Sequence, residues 1–236
     1  MRLATERLTF RGRELSLSGQ HPLEPYLLKL PARPDFRLQR TVDVGYVAAW
    51  EVRTDDTLWL TSLQTRPDDA GPDPGMRLLF PNVAAVAATW LSQTLRATEA
   101  FHKRFSPVGN GTVYARETHL SFWQGLLIAT EETEVQTGRR VAGELSPHLE
   151  RLYGLEEAAF LRAAFAAPED AAPRLIYADW LEERGDPRAE LIRMADRLRN
   201  LRPEAAKWER ASFRDRLAQL HSPSLPLWLR LLGLWE

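Results

Sequence analysis

Apolar and polar residues alternate over Leu8–Phe10 and again over Glu14–Ser18, with Gly12 between them. A two-residue period on either side of a glycine predicts a β-hairpin. Pro22, Pro25, Pro31 and Pro34 then interrupt any period, so His21–Phe36 reads as loop or irregular edge. Val44–Arg53 is rich in β-branched and aromatic residues, Thr54-Asp55-Asp56 supplies a turn, and Thr57–Leu63 resumes as a strand, which predicts a second hairpin. Arg66–Gly75 is a Pro/Asp/Gly loop. The period then changes. Val83, Val86, Ala87, Trp90 and Leu91 recur at helical spacing behind Asn82 as N-cap, so Asn82–Leu95 is expected to be an amphipathic helix packed on the sheet. Thr112–Arg116, Leu120–Trp123 and Leu126–Thr130 read as strands, the last two joined at Gly125.

Polar, glycine-containing Gln136–Gly143 reads as a linker, and beyond Leu145 every pattern is helical. Leu155–Ala166 carries Phe160, Leu161, Ala164 and Phe165 on its apolar side. Ala172–Arg184 starts with Pro173, whose missing N–H costs nothing at a helix start, and stops at Gly185, the residue suited to a left-handed cap. Asp186-Pro187 restarts the chain as N-cap and first helical position, and Leu191, Met194, Ala195 and Leu198 form the next stripe. Pro203–Leu220 predicts a further helix with Trp208, Phe213, Leu217 and Leu220 inward, and a short final helix carries Leu227, Trp228, Leu231, Leu232 and Trp235. The expected fold class is α+β: an antiparallel β-rich domain with one packed helix over residues 1–135, then an all-α domain over 144–236.

Composition narrows the function classes. With 236 residues, 44% of them hydrophobic, the chain can build two cores. The formal net charge of −1 lacks the basic excess of a general nucleic-acid binder. The absence of cysteine removes disulfides, thiolate metal sites and cysteine nucleophiles. Met1–Phe10 has no apolar core of a signal peptide, and Leu225–Trp235 is too short to span a bilayer, so a cytoplasmic protein without membrane contact is expected. Arginine strongly outnumbers lysine, as in GC-rich bacterial genomes.

Chemistry-bearing motifs are sparse, and neither a catalytic residue set, a metal site nor a cofactor is expected. His21, His102, His119, His148 and His221 stand at no metal-ligand spacing. Ser92 lacks a nucleophile elbow, and Gly109-Asn110-Gly111 leads into a strand rather than a helix, unlike a phosphate loop. Asp179, Glu182 and Glu183 read as a solvated acidic face. Asp179 lies beside Leu175 and Ala178 on its helix, so it is expected to be covered and to need an arginine, Arg174 or Arg193, as part of a structural lock with Gly185 and Asp186. Arg193, Arg197, Arg199 and Arg202 form the densest basic stretch. Six of the eight tryptophans (Trp50, Trp59, Trp90, Trp123, Trp180 and Trp208) sit in apolar patterns and read as core. Trp228, Leu231, Leu232 and Trp235 either dock internally or form an anchor for a partner.

The run Phe160-Leu161-Arg162-Ala163-Ala164, then Pro168-Glu169-Asp170, then Pro173 through Arg193 resembles the bacterial repeat-companion domain, a short helical module with the pattern PRLxYADWLEExGDPRxExIR. Ala189 stands where that family commonly has glycine. The resemblance places such a module at about 156–195 and implies no known activity. Gly45-Tyr46, Trp50-Glu51-Val52, Leu58, Leu60, Phe80-Pro81 and Trp90-Leu91-Ser92 are similar to an uncharacterised family of small β-rich bacterial proteins, which tends to have glycine where this chain has Gln93. Together these expectations favour a non-enzymatic interaction or adaptor protein with a protein partner, in a bacterial signalling or defence-type system by analogy with such multi-domain families. The Pro-rich loops His21–Phe36 and Arg66–Gly75 would serve it as adaptable contacts. An enzyme using His102, His119 and Glu117, and a nucleic-acid-binding accessory protein using the Arg193–Arg202 face, are the alternatives.

Overall fold

The computed structural model describes residues 6–17, 19–34, 36, 44–65, 72–99, 104–105, 112–113, 116–135, 137, 139–201, 206–220 and 222–234. The chain divides into two units, Met1–Ser146 and Pro147–Glu236. The first is β-rich with one packed helix, and the second is all-α.

In the first unit, β1 (Glu6–Phe10) and β2 (Arg13–Leu17) form the expected hairpin. Its two-residue turn has positive φ at both Arg11 (50°) and Gly12 (75°), the conformation that matches strand twist in tight hairpins. β3 (Val47–Val52) lies parallel to β1, with Leu8 opposite Trp50, and pairs antiparallel with β4 (Leu58–Gln64). β5 (Val86–Ala87) extends this side. On the other side come β6 (Thr94–Glu99), β9 (Arg116–Trp123), β10 (Leu126–Glu134) and β11 (Arg140–Leu145), giving the order β11-β10-β9-β6-β2-β1-β3-β4-β5. A separate pair, β7 (Arg104–Phe105) and β8 (Thr112–Val113), lies between β6 and β9 in the chain. The sheet curls far enough for the start of β4 to reach the β9–β10 turn: Thr57 bridges Leu126, and the Leu58 N–H donates to the Gly125 carbonyl at 2.8 Å. Leu8, Leu15, Leu60, Leu95, Leu120 and Phe122 fill the concave side.

Three local expectations change. Asn82–Leu95 is not helical; it runs through turns, the short β5 and the start of β6. Its backbone groups are taken by neighbouring segments, with Ala88 N–H donating to Leu58 O and Gly125 N–H to Leu91 O, both at 2.8 Å. Sheet pairing outweighs a helical period lasting only two turns and rich in β-branched valine. The packed helix is instead α1 (Glu24–Leu27), inside the proline-rich stretch read as irregular, with Pro25 in its first turn and Leu23 and Leu27 buried in the core. The linker expected at Gln136–Gly143 contributes most of edge strand β11, and the unit ends at Ser146. The Arg66–Gly75 loop lies largely outside the described residues.

The second unit contains α2 (His148–Tyr153), α3 (Leu155–Ala166), α4 (Ala172–Glu183), α5 (Arg188–Asn200), α6 (Ala206–Gln219) and α7 (Leu225–Leu231). The stop and restart between α4 and α5 follow the local signals. Gly185 sits at φ 68°, its N–H donates to Glu182 O, and the Asp186 N–H reaches back to Leu181 O, the paired bonds of a Schellman cap. The Asp186 carboxylate then accepts the Arg188 N–H at 2.9 Å. Leu161, Ala164, Tyr177, Ala178, Leu181, Leu191 and Ile192 form the core of this unit. Trp208, expected in that core, is 81% exposed. Phe213 and Leu217, half-buried, mark the inward side of α6, and Trp208, five and nine residues before them, falls on the opposite side.

Candidate functional site

The structural lock expected around Asp179 is two locks. At the surface, Arg193 Nη2 donates to Asp179 and to Glu182, each at 2.7 Å. The Asp179 side chain is exposed rather than covered, because it faces away from Ala178 and Leu181. Inside, Arg174 is 1% exposed and donates to Pro168 O at 2.5 Å and to Asp196 at 3.2 Å, tying the α3–α4 turn to α5. Arg199 also donates to Pro168 O and to Gly233 O. Burial, then the neighbouring Arg174 charge, push the Arg199 guanidinium below its ordinary pKa.

A second buried network joins the motif residues. The Tyr177 hydroxyl donates to Glu157 at 2.6 Å, Arg188 bonds Glu157 at 2.6 Å and Asp186 at 2.7 Å, and the Trp228 indole donates to the Tyr177 oxygen at 2.9 Å. Burial and then Glu157 drive the Tyr177 pKa up. Burial alone would raise Asp186, but its bonds from Arg188 hold it below the ordinary carboxylate value. Trp228, Leu231 and Leu232 are therefore core residues of this unit, each at most 1% exposed, and not a free anchor. Leu225, Leu227, Trp228, Leu229 and Leu231 are all buried, and only the side of α7 that carries Pro226 and Arg230 meets water. Trp235 lies outside the described residues.

The four arginines read as one basic face are not equivalent. Arg193 and Arg199 are engaged within the fold, Arg197 is exposed, and Arg202 lies outside the described residues. Of the histidines, His102 and His221 lie outside them as well, as does Gly109-Asn110-Gly111. His119 on β9 contacts Glu117 at 3.1 Å and Thr133 on β10 at 3.2 Å, so this half of the expected acid–base group comes together. Among the described residues no group of three or more histidines and carboxylates is placed to hold a metal ion, and no helix is long and apolar enough to cross a membrane. An open cleft of about 660 Å³ at the turn ends of β1 and β3 is lined by Arg11, Glu51, Arg53 and Asp56 together with apolar Phe10 and Val52.

The least expected site is in the β-rich unit. Glu6 is 1% exposed, yet it carries an ionisable carboxyl group. Its Oε2 accepts the Trp50 indole N–H at 2.7 Å, and its Oε1 lies 2.8 Å from His21 Nδ1. Beside it, Glu24 accepts the Tyr46 hydroxyl at 3.1 Å and both Nη atoms of Arg33, at 2.8 and 2.9 Å. Burial raises the Glu6 pKa, and the bonds from His21 and Trp50 offset that only in part. The signal was in the alternation. Glu6 is in phase with Leu8 and Phe10, which places it on the inward face of β1.

Comparison with protein-family models, with curated proteins and with solved structures finds no match to this chain.

Proposed function

We propose that this chain is a non-enzymatic interaction protein of adaptor type that holds a protein partner at one end of its helical layer. One observation supports this. Arg174–Asp196 and Arg199–Pro168 set the end of α5 beside the start of α4, and Arg216–Glu190 (2.7 Å) sets the end of α6 beside the start of α5. The start of α6 therefore returns to the end where α4 begins. Leu175, Ile176 (59% exposed), Leu201 and Trp208 all belong to that end, and all four are exposed. An exposed tryptophan at the same end as exposed aliphatic side chains is the composition of an interface hot spot. The motif polar residues Arg174, Tyr177, Asp186 and Arg188 are spent on internal bonds, which suits a module that supplies a rigid shape. A cytoplasmic setting, and membership of a bacterial signalling or defence-type system, belong to the same proposal; the first rests on the cysteine-free sequence and the second on the resemblance of Pro173–Arg193.

A photo-reactive amino acid at position 208, expressed in the native host, is expected to give a discrete adduct. Ile176→Asp should abolish that adduct while the thermal midpoint stays unchanged. No discrete adduct, or one indifferent to Ile176→Asp, would sink the proposal. The enzyme alternative keeps one observation in its favour, the Glu117–His119 contact. The nucleic-acid alternative is weakened because Arg193 and Arg199 serve the fold.

A further inference from the structure

We infer that Glu6 and His21 form a proton-operated clasp that holds the segment carrying α1 against the sheet. The chemistry follows from donors and acceptors. An indole N–H can only donate, so Glu6 Oε2 must accept from Trp50 whatever the pH. The line from Oε1 to His21 Nδ1, 2.8 Å long, then needs one proton. That proton sits either on the carboxyl, with Nδ1 accepting, or on Nδ1, with a carboxylate accepting. A second proton would set two donors face to face. Removing the last proton that the pair can lose without breaking this bond leaves a net negative charge centred on a carboxyl group only 1% exposed. The two groups therefore titrate as a pair.

Every charged or titratable neighbour sharpens this. From β1 the group is Glu6 itself; from the α1 segment it meets His21 and, further off, the Glu24 carboxylate. From the chain leading into β3 comes the Tyr46 hydroxyl, bonded to Glu24, which Arg33 neutralises. Glu24 repels a charged Glu6, and burial disfavours it more strongly. The sign is therefore set. With its folded pKa raised, Glu6 adds stability that is fully present below the ordinary carboxylate value of about 4.3 and is lost as pH rises through the pair's own higher transition.

What the clasp holds is substantial. Leu23 and Leu27 enter the core from this segment, Pro22 O accepts the Trp90 indole N–H at 3.0 Å, and Tyr26 packs on Trp90 with ring centroids 4.8 Å apart. On the path from β2 into α1, Gln20 accepts the Arg96 N–H at 2.6 Å and His21 follows it, so weakening the His21 bond loosens the segment beyond that tie before it loosens the strands.

The test compares the full chain with Glu6→Gln from about pH 5 to about pH 9. The amide keeps both bonds, accepting from Trp50 and donating to His21, but cannot titrate. The wild type should lose thermal midpoint with rising pH more steeply than Glu6→Gln. Hydrogen exchange over residues 22–30, corrected for intrinsic base catalysis, should rise in the wild type ahead of the strands and stay level with them in the variant. Parallel pH profiles for the two proteins would overturn the clasp, as would exchange in residues 22–30 that tracks the strands. Should Glu6→Gln fail to fold, imidazole ¹⁵N shifts of wild-type His21 decide. One Nδ1 transition at the pH where exchange rises supports the clasp, and an Nδ1 shift constant across that pH refutes it.

Discussion

Among the described residues each unit buries one ionisable side chain to the same depth, and the two are handled in opposite ways. Arg174 in the helical unit and Glu6 in the β-rich unit are each 1% exposed. A guanidinium cannot shed its charge, so Arg174 is sustainable only because the Pro168 carbonyl and the Asp196 carboxylate receive it. A carboxylate can shed its charge, and among the described residues Glu6 is bonded by the neutral Trp50 indole and the titratable His21. The first arrangement fixes helix geometry at any ordinary pH. The second ties the hold on the α1 segment to proton activity. Two equally buried charges thus give one rigid joint and one conditional joint, and the partner set, not the depth, decides which.

Removing the permanent charge should have the larger effect. Arg174→Ala leaves Pro168 O with Arg199 as its donor, takes the buried Arg174 bond from Asp196 and opens a cavity between the α3–α4 turn and α5. Breaking a buried pair from one side costs about 3–5 kcal/mol, and a value near the lower end is expected because Asp196 is partly hydrated. Urea unfolding at about pH 6 and about pH 9 should give the same loss. A loss that shrinks or grows strongly between them would mean that Arg174 is not the pH-indifferent member of the comparison.

The next effect in size belongs to Glu6. Trp50→Phe keeps most of the ring volume and removes one donor. Stranding an acceptor costs about 1–3 kcal/mol, more if the acceptor is charged. The loss should therefore be larger at high pH, where Glu6 is ionised, than at low pH, where a carboxyl group bears the missing donor more easily. Equal losses at both ends of the range would show that Glu6 does not change its charge in the folded protein.

How far the sequence announced these sites differs between the units for a physical reason. Gly185, Asp186 and Pro187 act on the backbone within a few residues of themselves, so the α4 stop and α5 start were legible from spacing. Asn82–Leu95 was not, because its partners, Leu58 and the Gly125 turn, are distant in sequence. The depth of Trp228 could have been read from α7 itself, whose apolar residues take up every side but the one that carries Pro226 and Arg230. The exposure of Trp208 had a matching cue in spacing, since five and nine residues from Phe213 and Leu217 it is out of phase with the apolar stripe of α6. Glu6 needed only one further step of the β1 alternation, but its bonds to Trp50 and His21 depend on strand order. The Arg174–Asp196 pair likewise required α5 to be placed before Asp196, rather than Asp179, could be seen as the acceptor.

The smallest expected effect isolates burial from bond count. Arg193 makes two bonds of 2.7 Å, to Asp179 and Glu182, both shorter than the 3.2 Å bond of Arg174 to Asp196. Ion-pair distance alone would rank Arg193 above Arg174. Its two carboxylates are however 70% and 66% exposed, so water and salt replace the guanidinium when it is removed. Arg193→Ala should leave the urea midpoint within error of the wild type. Any residual difference should vanish near 1 M salt, where screening acts over about 3 Å. The bonds raise the Arg193 pKa further above its already high value, through Glu182 first and Asp179 second, but this adds nothing at ordinary pH, where the group is charged in the folded and unfolded chain alike. A loss comparable to that of Arg174→Ala would reverse the ranking. It would mean that the α4–α5 joint is held from its surface, and that the contrast between Arg174 and Glu6 must be sought in packing rather than in who receives the charge.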